Sequence, residues 1–436
     1  MHILYLLDTK LYGYHVEYIY MRTQKKIKDL VCPFCSLHCD DIKVSMNGNR
    51  FKVDNKNLIC AKKIEKSNIK NSSQILPIIN NKTSTLSEAL KAIKKKLLDH
   101  REILLLNHGV DLSGLRSMLS FATRYNCIID HINSKSLFQN LNLMQRSGYM
   151  ATSLTEIKNR ADVIIVFGNK IFEKSPRLLD KVLQSKNSLC TDARKKEIIL
   201  VGNFNTSAVQ HIKKNSKVTN IKLDLDKIPH LMRLLSSNET LENPEVLSKA
   251  DLNKIQKIIS KSKYLVATWT NSDFSTAKNP EIIINSISKY IVSYNATKRG
   301  ACAPVAGSLG DITSSQALAW MTGFASRIKF IGTTFQHDRI SYDSNILIEN
   351  NNVDVILHIS TLNPNKIKLN KNIYNIVIGH PNSVFDHKPD IFIPVGIPGI
   401  DYDGIMFRTD NVVSVALKNI RDIKLPTTEN IINQLS

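Results

Sequence analysis

Residues 31–60 read VCPFCSLHCDDIKVSMNGNRFKVDNKNLIC, and their pattern predicts an antiparallel hairpin. Residues 41–45 alternate between apolar and polar side chains, as a half-buried strand does, and residues 51–53 alternate again. Between them, the Asn-Gly pair at 47–48 is a strong signal for a two-residue hairpin turn. Because a hairpin returns the chain to its origin, we expect Cys60 to come back beside the cysteines that precede it. The stretch therefore predicts a small N-terminal domain.

Four cysteines in this stretch have the spacing C-x2-C-x3-C-x20-C, at Cys32, Cys35, Cys39 and Cys60. Four thiolates are the ligands of a [4Fe–4S] cluster, and the short gaps allow one loop to carry three of them. Zinc also takes four thiolates, but zinc sites usually pair one C-x2-C with another, and here the last cysteine stands alone. We therefore predict a [4Fe–4S] site at these residues, with zinc or the empty relic of a lost cluster as the alternatives.

The whole chain has 436 residues, 42% of them hydrophobic and 22% charged, which predicts two to four folded domains. Clustered thiols without a secretion signal favour a cytoplasmic protein with a metal site over a disulfide-bonded one. The remaining cysteines, Cys127, Cys190 and Cys302, are expected to be incidental thiols. No apolar run approaches the roughly 18–20 residues that a membrane-spanning helix needs. Residues 1–20 show no evident leader, and the protein could instead start at Met21.

The net charge is +21, from 59 lysines and arginines against 38 aspartates and glutamates. The basic residues are scattered, lysine outnumbers arginine, and no nucleic-acid-binding motif accompanies them, which argues against a nucleic-acid partner. Two interpretations stay open. The charge reflects a compositional bias on a solvated surface, or it guides docking on acidic partner subunits.

After residue 85 the pattern alternates between helices and strands, which predicts an α/β fold with parallel sheets covered by helices. The predicted helices include 86–98, 112–125 and 317–324, and the predicted strands include 103–106, 161–168, 198–202, 264–268, 353–359, 374–379 and 390–395. We divide the chain into an uncertain N-terminal extension (1–29), a four-cysteine domain (30–80), a first α/β domain (81–262) and a second (263–436).

The string CPFCSLHCDDI (32–42) resembles the N-terminal cluster motif of the B subunit of formylmethanofuran dehydrogenase, a member of the molybdopterin oxidoreductase superfamily. Four further segments resemble the same subunit in the same order: NRADVIIVFGNKIFEKSPR (159–177), AWMTGF (319–324), PDIFIPVGIPGID (389–401) and MFRTDNVVSVAL (406–417). The resemblance covers about residues 30–420 and is weak in 203–262. The chain looks most similar to the corresponding subunit of the formyltransferase/hydrolase complex of methylotrophic bacteria.

The resemblance implies a tungsten or molybdenum ion held by two pterin dithiolenes and one Cys or selenocysteine, just after the first strand of the α/β region. The matching segment here contains no cysteine and places Leu112 or Leu115 at the ligand position. Neither side chain can bind a metal, so the resemblance implies a disabled pterin site and no catalytic residue. His108 and Asp111 are the alternative ligands, because histidine and aspartate ligate metals elsewhere.

The resemblance also carries cofactor-binding positions onto this chain. Gly168 and Asn169 end a strand where the family binds its pterin cofactor. Lys62 or Lys63 matches a lysine that lies between cluster and pterin, although a solvent-facing lysine is the alternative. Residues 299–307 resemble a glycine loop on the substrate side, with an ordinary turn-rich connection as the alternative.

These features predict the B subunit of a formyltransferase/hydrolase complex in one-carbon metabolism, from formaldehyde to formate. The chain would be a scaffold for amidohydrolase-like, formyltransferase and glutamate-synthase-like subunits, with no nucleic acid and no membrane as partner. Two alternatives stay open: the corresponding subunit of an active tungsten or molybdenum formylmethanofuran dehydrogenase, and an iron–sulfur electron-transfer subunit. Whether the chain has redox catalysis of its own depends on which of them holds.

Overall fold

The computed structural model describes residues 25–55, 58–69, 75–237, 246–305, 307, 309–362 and 366–436. The predicted N-terminal extension therefore lies outside the described residues, except for positions 25–29. The helices are α1 Ala61–Glu65, α2 Leu86–Leu98, α3 Leu112–Tyr125, α4 Ser134–Arg146, α5 Leu154–Arg160, α6 Lys170–Lys174, α7 Thr206–Lys213, α8 Ile228–Ser237, α9 Lys249–Lys261, α10 Pro280–Tyr294, α11 Asp311–Thr322, α12 Ser344–Glu349 and α13 Thr428–Leu435.

The strands are β1 Lys26–Leu30, β2 Ile42–Asn47, β3 Arg50–Val53, β4 Ile78–Ile79, β5 Lys82–Thr83, β6 Ile103–Gly109, β7 Ile128–His131, β8 Val163–Phe167, β9 Glu197–Val201, β10 Lys217–Ile221, β11 Tyr264–Thr270, β12 Arg299–Val305, β13 Ile328–Ile331, β14 Thr334–His337, β15 Val355–Ser360, β16 Lys366–Ile367, β17 Tyr374–Gly379, β18 Val384–Phe385, β19 Ile391–Pro394, β20 Gly404–Phe407 and β21 Ser414–Leu417. None of the helices in the described ranges is long and apolar enough to cross a membrane.

The N-terminal unit is a three-stranded antiparallel sheet in the order β1-β2-β3. Strands β2 and β3 form the predicted hairpin, in which Asn47 pairs with Arg50 around a turn at Gly48. The backbone of Gly48 has φ +60°, a left-handed conformation that glycine adopts without steric cost. The alternation of buried and exposed residues along both strands places one face of the sheet on the core.

A nine-stranded sheet, in the order β14-β13-β7-β6-β15-β17-β19-β4-β5, forms the first large layer. Its central strands β7, β6, β15, β17 and β19 run parallel to one another. They are buried almost throughout, as parallel strands covered on both faces by helices are expected to be. Helices α2, α3 and α13 pack against one face of this sheet.

A second, five-stranded sheet has the order β10-β9-β8-β11-β12 and is parallel throughout. It combines strands from both sides of the boundary predicted between residues 262 and 263, and the nine-stranded sheet does the same. Residues 299–305, which resembled a glycine loop, form the edge strand β12 of this sheet. The predicted class, α/β with parallel sheets and a small N-terminal hairpin, is confirmed.

Candidate functional site

The structure brings the four predicted cysteines together. Cys32, Cys35 and Cys39 lie in the turn between β1 and β2, and Cys60 immediately precedes α1 after the hairpin has returned. The first three are buried and Cys60 is half-buried. Cys35 is close enough to interact electrostatically with each of the other three thiols. The hairpin therefore brings Cys60 back beside the three earlier cysteines, as the sequence predicted.

Backbone hydrogen bonds shape the cysteine loop. The N–H of Cys32 donates to the carbonyl of Cys39 at 2.9 Å, and the N–H of His38 donates to the carbonyl of Cys35 at 3.1 Å. His38 has φ +46° and donates from Nδ1 to the carbonyl of Cys32 at 3.2 Å. These bonds close the loop around the buried ring of Phe34. Three thiols are thereby held on one compact turn.

When no metal is bound, burial favours the protonated form of the four thiols. It raises the pKa of Cys39 to about 12 and that of Cys60 to about 11, and it raises the pKa of Cys32 and Cys35 as well. The positive charge of Lys63 opposes this shift at Cys35 and Cys60. Metal binding would therefore have to displace protons from neutral thiols, which is the usual coupling of metal affinity to pH.

Four thiols are a donor set that either an iron–sulfur cluster or a zinc ion takes. Among the described residues, no group of three or more His, Cys, Asp or Glu side chains is arranged to hold a metal ion. A zinc ion needs four ligands that converge on one point. In a [4Fe–4S] cluster each thiolate binds a different iron, so the four thiols can stand farther apart. Ligation of a cluster by these cysteines stays a prediction.

An ion-pair network that the sequence did not reveal lies beside the thiols. Arg177 donates from both terminal nitrogens to Asp41, at 2.6 and 2.8 Å, and Lys181 Nζ lies 2.7 Å from the same carboxylate. These cations hold the pKa of Asp41 well below its usual range. The network ties the cysteine loop to a π-helical turn at Leu179–Leu183. Arg177 is the last residue of a segment that carries the family resemblance. Its pairing with Asp41 could not be inferred from the spacing of residues in the sequence.

The two lysines after Cys60 have different surroundings. Lys62 is exposed on α1, whereas Lys63 is half-buried and lowers the pKa of Cys35 and Cys60 through its charge. Only Lys63 therefore lies next to the thiols in the manner that the resemblance implies. Its role toward a pterin stays a prediction.

The two leucines that the resemblance places at the family's ligand position both contact the hydrophobic core. Leu115 is fully buried in the first turns of α3, in the hydrophobic core that helices α2, α3 and α13 form on the nine-stranded sheet, and Leu112 packs against the same core. Asp111 stands at the N-terminus of α3, where the hydroxyl of Tyr402 donates to its Oδ1 at 3.2 Å. Burial raises the pKa of Asp111 to about 6.

The alternative ligand His108 is engaged in a hydrogen-bonded chain across the sheet. His108 Nε2 and His358 Nδ1 lie 3.0 Å apart, and His358 Nε2 lies 3.2 Å from Asn375 Oδ1. Burial lowers the pKa of His358 to about 4 and that of His108 well below its usual value. Both imidazoles are therefore neutral. From sequence alone His108 resembles a surface residue or strand-end cap, and its contact with β15 could not be foreseen.

At the predicted cofactor turn, Asp273 occupies the space above Gly168. Gly168 follows β8 with φ +82°, and a Cβ added there would collide with the carboxylate of Asp273. Oδ1 of this carboxylate accepts the backbone N–H of Lys170 at 2.9 Å, at the start of α6. A glycine turn at a helix N-terminus is where α/β proteins receive a phosphate. Here a carboxylate of the chain itself takes the backbone donor.

Asn169 points its amide elsewhere, with Nδ2 donating to the carbonyl of Asn203 at 3.3 Å. Gly168 and Gly202, which end β8 and β9, lie with the Cα of Gly168 3.6 Å from the Cβ position of Gly202. The structure thus gathers two glycine turns at the carboxyl edge of the five-stranded sheet.

A cavity of about 260 Å³ opens near the carboxyl ends of β7, β11 and β12. Its polar lining includes Asn133, Asn271 and Asp311, and Asp311 accepts hydrogen bonds from Asn133 and from the N–H of Gly307. Strand ends of this kind are the usual ligand crevice of α/β sheets. The volume lies below the roughly 300–1,000 Å³ of sites for drug-sized ligands.

No protein-family model matches the chain. It is 20% identical over 430 residues to the B subunit of tungsten-containing formylmethanofuran dehydrogenase 2 of Methanocaldococcus jannaschii, covering 91% of this chain and 94% of that protein. The chain is similar to the B subunit of formylmethanofuran dehydrogenase. It is also 21% identical over 323 residues to the B subunit of the formyltransferase/hydrolase complex Fhc of Methylorubrum extorquens, covering 73% of this chain and 84% of that protein.

The fold matches a subunit in the crystal structure of the formyltransferase/hydrolase complex FhcABCD from Methylorubrum extorquens in complex with methylofuran. The TM-score is 0.67 with 17% sequence identity, over 82% of this chain and 97% of that chain. The resemblance drawn from the cysteine motif and the four further segments is therefore confirmed, both in sequence and in fold.

Proposed function

We propose that this chain is the B subunit of a formyltransferase/hydrolase-type complex of one-carbon metabolism, and that it acts as a scaffold without a tungsten or molybdenum site. The observation that carries the proposal is that both candidates for the ligand position are leucines at the hydrophobic core beside α3, with Leu115 fully buried and Leu112 packed against it. A side chain that is fully enclosed in the hydrophobic core beside α3 offers no ligand, and a cysteine there would have to displace core packing to reach a metal.

Two features of the cofactor region support the loss of the pterin. The carboxylate of Asp273 sits on Gly168 and takes the N–H of Lys170, so a phosphate would meet a negative charge instead of a free donor. The neighbouring cavity is also small. Both features oppose the binding of an anionic dinucleotide.

Exposed aromatic and aliphatic side chains support assembly with other subunits. The aromatic patch consists of Trp320, Met321, Phe324, Ile331 and Phe335, at the end of α11 and on the β13–β14 hairpin. Trp320 is 66% exposed, and the rings of Phe324 and Phe335 contact each other edge to face. Exposed apolar clusters of this kind mark interaction surfaces. Amidohydrolase-like, formyltransferase and glutamate-synthase-like subunits are the partners that we propose.

In this proposal a [4Fe–4S] cluster at Cys32, Cys35, Cys39 and Cys60 has a structural role. It would fasten the turn before β2 to the start of α1, and its binding energy would add to the folding energy of the small hairpin domain. Lys63 and Arg177 would balance part of the negative charge of a cluster held by four thiolates. No electron transfer through it is required.

The second candidate is the corresponding subunit of an active formylmethanofuran dehydrogenase, with Asp111 as metal ligand. The buried Oδ2 atom of Asp111 has no hydrogen-bond partner among the described residues, as a ligand oxygen would lack one without its metal. This candidate predicts viologen-linked oxidation of formate or of a formyl carrier by the purified complex.

The test is to purify the tagged chain anaerobically from the organism that makes it, identify its co-purifying subunits by mass spectrometry and assay the complex. The proposal expects a stable complex with formyltransferase and hydrolase subunits and no viologen reduction. Viologen reduction that disappears in Asp111→Ala would establish the second candidate instead. A reducible cluster on a chain without such subunits would point to an electron-transfer protein.

A further inference from the structure

The edge at which the five-stranded sheet begins carries a concentration of lysines. Because all five strands run parallel, their first residues share this edge, opposite the glycine turns at Gly168 and Gly202. Two clefts of about 490 and 420 Å³ open here. We define the lysine band as the lysines of these clefts that have no ion-pair partner among the described residues: Lys158, Lys186, Lys195, Lys254, Lys257 and Lys261.

The two clefts lie close to each other on this edge. Lys195 lines the first cleft and Lys158 the second, and the buried Lys196 lies between them, with its Nζ donating to the carbonyl of Lys158 at 2.8 Å. The first cleft is completed by α9, which buries its apolar side on the sheet and presents Lys254, Lys257 and Lys261 on its other side.

The carboxylates at this edge are already engaged. Asp162 accepts the backbone N–H groups of Lys263 and Tyr264, at 2.8 and 2.9 Å. Glu197 pairs with Lys217 at 3.3 Å.

In the second cleft, Arg177 and Lys181 both pair with the carboxylate of Asp41, which precedes β2. The positive charge of the lysine band is therefore not neutralised within the described part of the chain.

Like charges three and four residues apart on a helix repel one another, so the lysines of α9 cost stability in the isolated chain. A partner that supplies carboxylates would turn this cost into attraction and guide docking. We infer that the lysine band is a docking surface for a partner protein whose contacting face is rich in aspartate and glutamate. The inference rests on the proposed function in one respect, namely that the partner is a subunit of the same complex.

The composition of the band favours an acidic protein over a nucleic acid. The exposed, permanently charged basic residues that line the two clefts are lysines, whereas the planar guanidinium of arginine is the usual choice for phosphate groups. Neither cleft has a phenylalanine, tyrosine or tryptophan among its described lining residues, so neither offers the stacking surface that single-stranded nucleic acids use.

The test compares K254Q/K257Q/K261Q with the control K91Q/K94Q/K95Q, which removes three exposed lysines of α2 on the nine-stranded sheet. Each tagged variant is purified as the complex, and subunit dissociation is followed by native mass spectrometry across a series of salt concentrations. For the α9 variant we expect a roughly tenfold weaker association of one subunit at low salt, the order expected of three exposed ion pairs. The control should match the wild type.

A carbodiimide that couples lysine amines to carboxylates identifies the contact directly. We expect amide cross-links from Lys254, Lys257 or Lys261 to aspartates or glutamates of the subunit that the α9 variant loosens. If the α9 variant dissociates as the control does, or if nuclease treatment abolishes the effect, the inference is overturned while the proposed complex stands. If the wild-type chain co-purifies without any other subunit, the proposed function itself fails.

Discussion

At the scale of single residues, two side chains of the chain itself occupy places that a pterin cofactor would need, and our proposal depends on them. Leu115 fills the core where the family's metal ligand is expected, and Asp273 takes the backbone donor at Gly168 that a phosphate would use. The sequence alone could not show how either side chain packs. It did show that Leu115 stands where the family is expected to have a cysteine. It could not show the contact of Asp273 with Gly168, because Asp273 lies more than one hundred residues away and follows a different strand.

Asp273 should leave a signature in the pH dependence of stability. Burial raises the pKa of its carboxyl group to about 6, above the ordinary value of 3.8. Between those pH values the folded chain holds a proton that the unfolded chain has lost, so the contribution of Asp273 to the free energy of unfolding falls as pH rises from 4 to 6. Asp273→Asn removes this dependence.

We expect the wild type to lose about 2–3 kcal/mol relative to Asp273→Asn between pH 4 and pH 6, measured by urea unfolding. Asp226→Asn, at an exposed aspartate near the same sheet, is the control and should track the wild type. A constant difference between wild type and Asp273→Asn would mean that the carboxyl group is not buried as described.

At the scale of elements, helices with a clear apolar face could be predicted to the residue, as α2 and α3 were. Strand β12 could not be predicted, because it contains glycine and proline, which are uncommon in strands. Pro304 is tolerated since β12 is an edge strand, where a missing N–H donor costs least. Helix α11 begins six residues before its predicted start, because its first turns bury Thr313 and Ser314 rather than apolar side chains.

The cysteine loop is the element whose prediction can be tested most simply. Cys35→Ser should abolish stoichiometric iron binding and the visible absorbance of an anaerobically purified chain, since each thiolate holds one iron of the cluster. Cys127→Ser, which changes a buried thiol beside the nine-stranded sheet, should retain both. Equal iron in the two variants would place the iron elsewhere, and no iron in the wild type would make the four cysteines an empty relic.

At the scale of the whole molecule, the two sheets draw strands from both halves of the chain. The sequence predicted most of the parallel strands, although not β10 or β12, but periodicity does not tell which sheet a strand joins. Strands β6 and β7 therefore pair with β15 and β13, far along the chain, while β8 to β12 form a sheet of their own. The surface of this assembly keeps an aromatic patch and a lysine band on different elements, as a scaffold with several partners would.

The aromatic patch should matter for assembly more than for folding. Trp320→Ser with Phe335→Ser is expected to lower the amount of at least one co-purified subunit several-fold, because the side chains are already exposed in the isolated chain. Thermal stability of the isolated chain should change little. Leu98→Ser, at an exposed leucine of α2, is the matched control and should leave the complex unchanged. An intact complex in the double variant would exclude the patch as a contact surface.

The central claim is that this subunit has no tungsten or molybdenum site, and elemental analysis of the anaerobically purified complex tests it most directly. With Leu115 buried and Asp273 on the glycine turn, we predict tungsten and molybdenum far below one atom per chain, together with no releasable pterin. One tungsten or molybdenum atom per chain, accompanied by pterin, would contradict this claim.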